Sequence, residues 1–269
     1  MSLHLNRFDI EIGKAQRIGP FQVTIHHHEG PENPWENWDC MTPMLTYSES
    51  TQTYDSGDGI EDFFSLVTPA WVSRNWRKIA AILEIDEAVA DQEMRDYGGS
   101  LSDSRYDYFR EALSEKAPHS CCWGTACDYF DMLEALYDLV GIPALSTQRN
   151  GYSQGDCVRI LLVATPAHAK RCGWAPDYDP NPGLKTDADL YGAWAWGDVY
   201  GYSIDDAKTG EQVDSCFGFY GTDDVVAEVE SVMNFEIENR KRERLDAIKR
   251  WIRNRVPLLI RAEMLGEMS

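Results

Sequence analysis

The stretch that decides the fold is Val199–Phe219, VYGYSIDDAKTGEQVDSCFGF. Its two ends, residues 199–205 and 212–219, both alternate in side-chain character. In the first of them, one face presents aromatic and aliphatic side chains: Tyr200, Tyr202 and Ile204. The connecting residues, DAKTG, form a favourable hairpin loop. We therefore predict an antiparallel hairpin late in the chain, with one apolar face.

Upstream of this hairpin, strand patterns and helix patterns follow one another. Residues 71–83 and 123–140 repeat apolar side chains every 3.6 residues, which predicts helices. Residues 158–164, VRILLVA, are the most apolar run and predict a buried strand. Residues 8–12 and 21–26 alternate around a Gly-Pro break and predict a first hairpin. This order predicts an α+β fold, in which several helices pack on a mixed or antiparallel sheet.

Downstream of the hairpin, the pattern predicts two helices, at residues 222–233 and 235–264, with Pro257 interrupting the second. Charge changes along the chain at this point. Residues 236–263 hold nine basic and five acidic residues, whereas residues 1–235 hold 16 basic and 39 acidic residues. We therefore predict an acidic α+β domain at residues 1–235 and a basic, amphipathic, long C-terminal helical segment at residues 236–269.

The overall composition narrows the classes of function. The 269 residues include 45 Asp and Glu against 25 Lys and Arg, a net charge of −20. Such a chain repels polyanions, so we expect no direct binding to nucleic acid. No apolar run reaches about 18 residues, so we expect no membrane span. The first residues, MSLHLNRFDIEIG, lack the pattern of a signal peptide, so we expect a cytoplasmic location.

The cysteines and histidines do not form a recognisable metal or disulfide pattern. The seven cysteines include no C-x-x-C pair: they are Cys40, Cys121, Cys122, Cys127, Cys157, Cys172 and Cys216. An odd number at these spacings favours reduced thiols over a disulfide framework or a zinc site. The three consecutive histidines at residues 26–28 lie on a predicted strand, so their side chains point to alternate faces. At most two of them could share an ion. We expect no metal and no cofactor.

Residues 29–62, EGPENPWENWDCMTPMLTYSESTQTYDSGDGIED, are acidic and contain neither lysine nor arginine. Aromatic residues interleave with the acids. Rings supply contact area and carboxylates supply an electric field, as a surface that meets a basic partner needs. A solvated loop is the alternative interpretation. The predicted partner-binding residues are Glu29, Glu32, Trp35, Glu36, Trp38, Asp39, Asp55, Asp58, Glu61 and Asp62.

Residues 189–221, DLYGAWAWGDVYGYSIDDAKTGEQVDSCFGFYG, resemble a family of uncharacterised acidic proteins of tailed bacteriophages and other mobile elements. Members share a hairpin of the form WAWGDVYGY…DSCWGFYG. Three further elements are similar: GYSQGD at residues 151–156, GIPA at residues 141–144 and PWENWD at residues 34–39. This chain carries Phe217 where the family has tryptophan. The resemblance implies a phage origin and brings no enzymatic role with it.

Residues 120–144, SCCWGTACDYFDMLEALYDLVGIPA, resemble the start of a transglutaminase-like cysteine hydrolase or transferase. That resemblance implies Cys127 as a nucleophile at a helix N-terminus, with His168 and either Asp177 or Asp179 as its partners. Three departures count against an enzyme. Cys127 lies one residue closer to the GIPA turn than the usual nucleophile. Leu145 replaces the expected arginine, and His168 falls in a predicted helix after Pro166 rather than in a strand.

Charge and resemblance together favour a binding protein. An acidic phage protein presents carboxylates where a nuclease or a CRISPR surveillance complex expects phosphates, so we predict a nucleic-acid mimic that inhibits host defence, of anti-CRISPR or antirestriction type. The predicted partner is a host defence protein with a basic surface. The alternative is a phage structural or regulatory binding protein that uses the basic helix at residues 238–255. The apolar stripe of that helix favours either core packing or a homodimer.

Overall fold

The computed structural model of the chain describes residues 11–48, 53–55, 59–97, 101–117, 123–150, 157–175, 177–255 and 260. The chain divides into two compact units. The split unit combines Met1–Pro31 with Asp198–Ser269, and the central unit is Glu32–Gly197. Each unit contains its own antiparallel sheet of four strands.

The described residues form short strands and mostly longer helices. The strands are β1 (Gln16–Ile18), β2 (Phe21–His27), β3 (Met44–Ser48), β4 (Thr53–Asp55), β5 (Ala144–Asn150), β6 (Cys157–Val163), β7 (Val199–Asp206) and β8 (Gln212–Tyr220). The helices are α1 (Pro34–Asn37), α2 (Gly59–Leu66), α3 (Pro69–Ile82), α4 (Glu87–Tyr97), α5 (Leu101–Lys116), α6 (Trp123–Val140), α7 (Pro166–Arg171), α8 (Asn181–Trp196) and α9 (Thr222–Arg255).

The sheet of the split unit has the strand order β1-β2-β7-β8. Strands β7 and β8 are the predicted late hairpin, and Ile25 of β2 lies opposite Tyr202 of β7. Helix α9 covers one face of this sheet. The buried cluster between them comprises Phe21, Val23, Ile25, Tyr200, Tyr202, Ile204, Val225, Val226, Val229 and Met233. The alternation of apolar side chains along β2 and β7 thus builds one layer of core.

The first hairpin is shorter than predicted, and its first strand lies elsewhere. Strand β1 begins at Gln16, and Ile18 pairs with Phe21 across a two-residue loop. Gly19 in that loop has a φ of +60°, a conformation that tight hairpin loops require and glycine adopts readily. Residues 11–12 are not in a strand, and residues 8–10 lie outside the described residues.

The sheet of the central unit has the strand order β4-β3-β6-β5. Strand β6 is the predicted buried strand, and it is buried on both faces. Leu161 and Val163 join a large cluster with α2, α3, α5 and α6. Val158, Ile160 and Leu162 join a second cluster, on the side of α8. The run ILLV, residues 160–163, is apolar at consecutive positions because both faces of its strand meet a core layer.

Helix α9 is one continuous helix of 34 residues, where the pattern predicted two. Neither glycine nor proline occurs between residues 222 and 255, so nothing in the chain interrupts it. The predicted domain boundary, between residues 235 and 236, falls inside this helix, and the division into split and central units differs from it. The α+β class, with antiparallel sheets, a late hairpin and a long C-terminal helix, is confirmed.

Candidate functional site

The acidic segment of the central unit begins with the short helix α1. Asn33 caps this helix, because its Oδ1 accepts a hydrogen bond from the Trp35 backbone N–H at 3.0 Å. Asn33 Nδ2 also donates to Glu36 Oε1 at 3.1 Å. Pro34 occupies the first helical position, where its fixed φ suits a helix start. This local turn sets the directions of the two tryptophans that follow.

The two tryptophans have different environments. Trp35 is half-buried: its Nε1 donates to the Thr42 carbonyl at 2.8 Å, and its ring meets the edge of Tyr191 at a centroid distance of 5.6 Å. Trp38 is 43% exposed. Trp35 therefore anchors the segment to the core, whereas Trp38 presents its ring at the surface.

A pocket of about 630 Å³ opens beside these tryptophans. We call it the Trp38 pocket. Its lining comprises Trp35, Trp38, Asp39, Cys40, Met41, Thr42, Pro43 and Arg171. The pocket thus combines two indole rings with one carboxylate and one guanidinium group.

Hydrogen bonds from Thr42 and Arg171 hold the wall of the Trp38 pocket in place. Thr42 is 2% exposed; its Oγ1 donates to Asp187 Oδ2 at 2.5 Å, and its backbone N–H donates to the same oxygen at 3.2 Å. Arg171 Nη2 donates to the Met41 carbonyl at 3.2 Å and to His168 Nδ1 at 3.0 Å. Because guanidinium only donates, Nδ1 of His168 is the acceptor. The wall is therefore fixed by α7 and α8 before any partner binds.

His168 and Cys172 lie next to Arg171 and place an imidazole against a thiol. The Cys172 Sγ atom is 3.7 Å from both ring nitrogens, so it lies on the lone-pair axis of neither. Burial, followed by the charge of Arg171, lowers the pKa of His168. Burial, followed by the neighbouring Cys40 thiol, raises the pKa of Cys172. Both groups are neutral at pH 7, so this contact does not supply the thiolate that nucleophilic catalysis requires.

The predicted catalytic set was Cys127, His168 and Asp177. Cys127 is half-buried on α6, and Asp177 is exposed in the loop after α7. The described contacts of the His168 ring are with Arg171, Cys172 and Trp174, whose ring lies edge-on at 4.9 Å. They include neither Cys127 nor Asp177.

The predicted partner-binding residues lie mostly at the surface. Those exposed are Glu29, Glu32, Glu36, Trp38, Asp39, Glu61 and Asp62. Asp58 and the side chain of Asp55 lie outside the described residues. Glu29 belongs to the split unit and the others to the central unit. The Trp38 pocket brings together Trp35, Trp38 and Asp39, whereas Glu61 forms an ion pair with Arg110 at 2.6 Å.

Sequence reasoning missed three residues that build this pocket: Thr42, Asp187 and Arg171. The contact between Thr42 and Asp187 joins positions 145 residues apart, so no local pattern could reveal it. A weak signal existed for Arg171. The Thr165-Pro166 pair predicts a helix start, and α7 begins at Pro166 with Thr165 accepting a hydrogen bond from the His168 backbone N–H.

The negative charge is concentrated in the unit that contains the pocket. The central unit holds 27 acidic and 12 basic residues, whereas the split unit holds 18 acidic and 13 basic residues. The acidic excess of the central unit is therefore three times that of the split unit, although the central unit is less than twice as long.

Comparisons with protein-family models, curated proteins and solved structures found no match to this chain. Across the described ranges, no helix combines the length and apolar character that crossing a bilayer needs. The same ranges contain no group of three His, Cys, Asp or Glu side chains placed to hold a metal ion. The chemistry of the Trp38 pocket and the charge of its unit therefore carry the interpretation.

Proposed function

We propose that this chain binds a basic surface of a nucleic-acid-binding host defence protein and thereby inhibits that protein. The observation that carries the proposal is the exposed Trp38 ring, together with the exposed carboxylate of Asp39, at a pocket with a fixed wall. Glu36 is exposed on the neighbouring helix α1. A rigid aromatic side chain supplies contact area, and nearby carboxylates select a partner of positive charge.

The pocket chemistry fits an arginine or lysine side chain of the partner. An indole face attracts a cation that comes within about 6 Å of its centroid, and a carboxylate accepts two hydrogen bonds from a guanidinium group. No described lysine or arginine of this chain forms an ion pair with Glu36 or Asp39. Arg171 is held by Met41 and His168, so it serves the wall of the pocket.

The charge of the central unit supports the same class of partner. A unit with 27 acidic and 12 basic residues repels nucleic acid and attracts the surfaces that bind nucleic acid. Long-range attraction of this kind accelerates association and depends on salt. The resemblance of the chain to phage proteins favours a host defence nuclease or surveillance complex among basic partners.

Quantitative capture from a bacterial lysate tests the proposal. We expect Trp38→Ala to lower recovery of the partner about tenfold, as truncation of a central aromatic contact does. The double variant Glu36→Gln, Asp39→Asn should also lower recovery and reduce its sensitivity to salt. Glu111→Gln with Glu115→Gln is the matched control, since both acids are exposed on α5 of the same unit and neither lines the Trp38 pocket.

The identity of the captured protein separates the candidate functions. A basic, nucleic-acid-binding host protein whose recovery depends on Trp38 supports inhibition of host defence. A phage structural protein with the same dependence supports the alternative, in which the chain is a phage structural or regulatory binding protein. Equal recovery by all variants contradicts both, and an affinity that does not change with salt contradicts the electrostatic mechanism.

We also propose that the chain associates with a second copy of itself through α9. Leu245, Ile248 and Trp251 are 43%, 38% and 54% exposed on this helix. Residues 241–248 of α9 are all exposed, and exposed apolar side chains on such a stretch favour a covering partner. Sedimentation equilibrium over a range of protein concentrations measures this association.

A further inference from the structure

Helix α9 consists of two halves of opposite charge. We call residues 222–239 the proximal half and residues 240–255 the distal half. The proximal half has no lysine or arginine, and its acidic residues are Asp223, Asp224, Glu228, Glu230, Glu236 and Glu238. The distal half has two acidic and eight basic residues, the latter being Arg240, Lys241, Arg242, Arg244, Lys249, Arg250, Arg253 and Arg255. The helix is therefore a charge-polarised rod, about 51 Å long.

The proximal half is attached to the sheet of the split unit by one face. Val225, Val229 and Met233 are fully buried in the cluster with β2 and β7. Arg240 marks the end of this attachment. Its guanidinium group donates to Asp206 Oδ2 at 2.5 Å and lies 4.9 Å from the centroid of the Phe21 ring. Beyond it, residues 241–248 are all exposed.

A second face of α9 carries a continuous surface row. Its members follow one another at alternating spacings of three and four residues, which keeps them on one side of a helix. They are Glu228, Ser231, Phe235, Glu238, Arg242, Leu245 and Lys249. All are exposed except Lys249, which is half-buried. This outer row is acidic in the proximal half and basic in the distal half.

The outer row is complementary to the same row on a second helix that runs in the opposite direction. Phe235 and Leu245 lie five positions on either side of Arg240, and both are exposed and apolar, at 67% and 43%. Glu238 and Arg242 lie two positions on either side of Arg240 and carry opposite charges. When two such rows lie antiparallel, apolar side chains therefore meet apolar side chains and acidic side chains meet basic ones.

We infer that two copies of this chain pair antiparallel along the outer row, with Phe235 of each helix against Leu245 of the other and Glu238 against Arg242. The inference rests on the proposed self-association and specifies its geometry through Leu245, since Ile248 and Trp251 lie outside the outer row. A twofold axis beside Arg240 produces every contact twice, which is the symmetry of an isologous dimer. Each basic distal half then lies along the acidic proximal half of the other copy, and the helix dipoles are opposed.

Other arrangements use these features less well. Parallel pairing would place Glu238 against Glu238 and Arg242 against Arg242, and like charges across an interface are unfavourable. An unrelated acidic partner would neutralise the distal half, yet it would make no use of the symmetric positions of Phe235 and Leu245.

Charge exchange on the full chain tests the antiparallel register. Arg242→Glu sets two glutamates together twice in the dimer, and Glu238→Arg does the same with two arginines. Each variant alone should therefore raise the dissociation constant of the dimer about tenfold. An equimolar mixture of the two variants should return to within about threefold of the wild-type constant, because both contacts then join opposite charges. Arg244→Glu is the matched control: its charge change is the same, but position 244 lies outside the outer row.

Each outcome of this experiment decides a different point. A wild-type chain that stays monomeric overturns the self-association, and this inference with it, but leaves the proposal for the Trp38 pocket standing. A wild-type dimer whose two variants are not rescued by mixing overturns the register alone. Full rescue in that mixture, with at most partial recovery when Arg244→Glu replaces Arg242→Glu, supports the inference. If circular dichroism shows a loss of helix in any variant, photocrosslinking from position 235 replaces the exchange: a crosslink to 245 supports the register and one to 235 overturns it.

Discussion

The two sheets of this molecule differ in how many of their faces are covered. Strand β6 of the central unit is buried on both faces, whereas β2 of the split unit buries Phe21, Val23 and Ile25 and leaves the intervening side chains exposed or half-buried. The sequences of the two strands differ in the same way. Strand β6 contains a continuous apolar run, ILLV, whereas apolar and polar residues alternate along β2. Continuous runs are typical of parallel sheets, yet β6 pairs antiparallel with both neighbours. The run therefore reports the number of core layers on a strand and not its direction.

Alanine substitutions at adjacent positions should distinguish the two sheets. These substitutions should have the largest effects on the free energy of unfolding. We expect Leu161→Ala and Leu162→Ala each to cost about 2–5 kcal/mol, because each empties a different core layer. In β2, Ile25→Ala should cost a similar amount, but the neighbouring Thr24→Ala only about 0.5 kcal/mol. Urea denaturation measures all four. A small cost for either leucine would contradict the two-layer burial of β6.

A substitution at Gly201 should lower the stability by a smaller amount, and it tests close packing on the outer face of the split-unit sheet. Gly201 of β7 lies opposite Phe217 of β8, and a Cβ atom added at Gly201 would lie 2.0 Å from Phe217 Cδ1. We expect Gly201→Ala to cost about 1–3 kcal/mol, near the lower value because the Phe217 ring is half exposed and can turn away.

A double-mutant cycle supplies the control for this substitution. In the Phe217→Ala background the added methyl group has room, so most of the cost should disappear. A cost that stays the same in both backgrounds would place the strain in the backbone and not in the contact between the two side chains.

These two sheets also show what could be predicted from the sequence. Strands β6, β7 and β8 were predicted because their own residues carry the pattern of buried faces. Strand β5 was missed, since Ala144–Asn150 has neither a continuous run nor a strict alternation, and it gains its conformation by pairing with β6 along its whole length. The two helices were predicted from the residue pattern and the domain boundary from a change in charge, but neither interrupts a helix that contains no glycine or proline.

The residues of the candidate site differ in the same way: some are neighbours in sequence, whereas others meet only in the tertiary fold. Trp35, Trp38 and Asp39 were predicted together from the sequence, and they line one pocket because they lie in or next to the capped turn of α1. Arg171 and Asp187 reach the same pocket from α7 and α8, and only the tertiary fold brings them to it. The sequence indicated at most the start of the helix that carries Arg171, and it did not indicate the role of either residue, because each is an ordinary charged residue on a helix.

The stability of the central unit should also depend on pH, and this dependence should come in part from His168. This side chain is 1% exposed, and burial lowers its pKa below the ordinary value of 6.5. The unfolded chain therefore binds more protons than the folded chain below pH 6.5, so stability is full above that pH and falls as the solution becomes more acidic. We expect the urea midpoint to fall between pH 7.5 and pH 5, with a weaker dependence in His168→Asn. Identical dependence in both proteins would contradict this assignment.

The smallest effect is expected in the split unit, at the contact between Asp206 and Arg240. The pKa of Asp206 is lowered to about 2, first by the backbone N–H groups of Thr209 and Lys208 and then by the Arg240 guanidinium group. The stabilisation it supplies is present above the ordinary value of 3.8 and is lost as the pH falls towards 2. Because the backbone donors come first, Arg240→Gln should raise this pKa only part of the way to 3.8. An NMR titration of the Asp206 carboxyl carbon measures the shift, and a full return to 3.8 would show that the ion pair, and not the hairpin loop, holds the carboxylate.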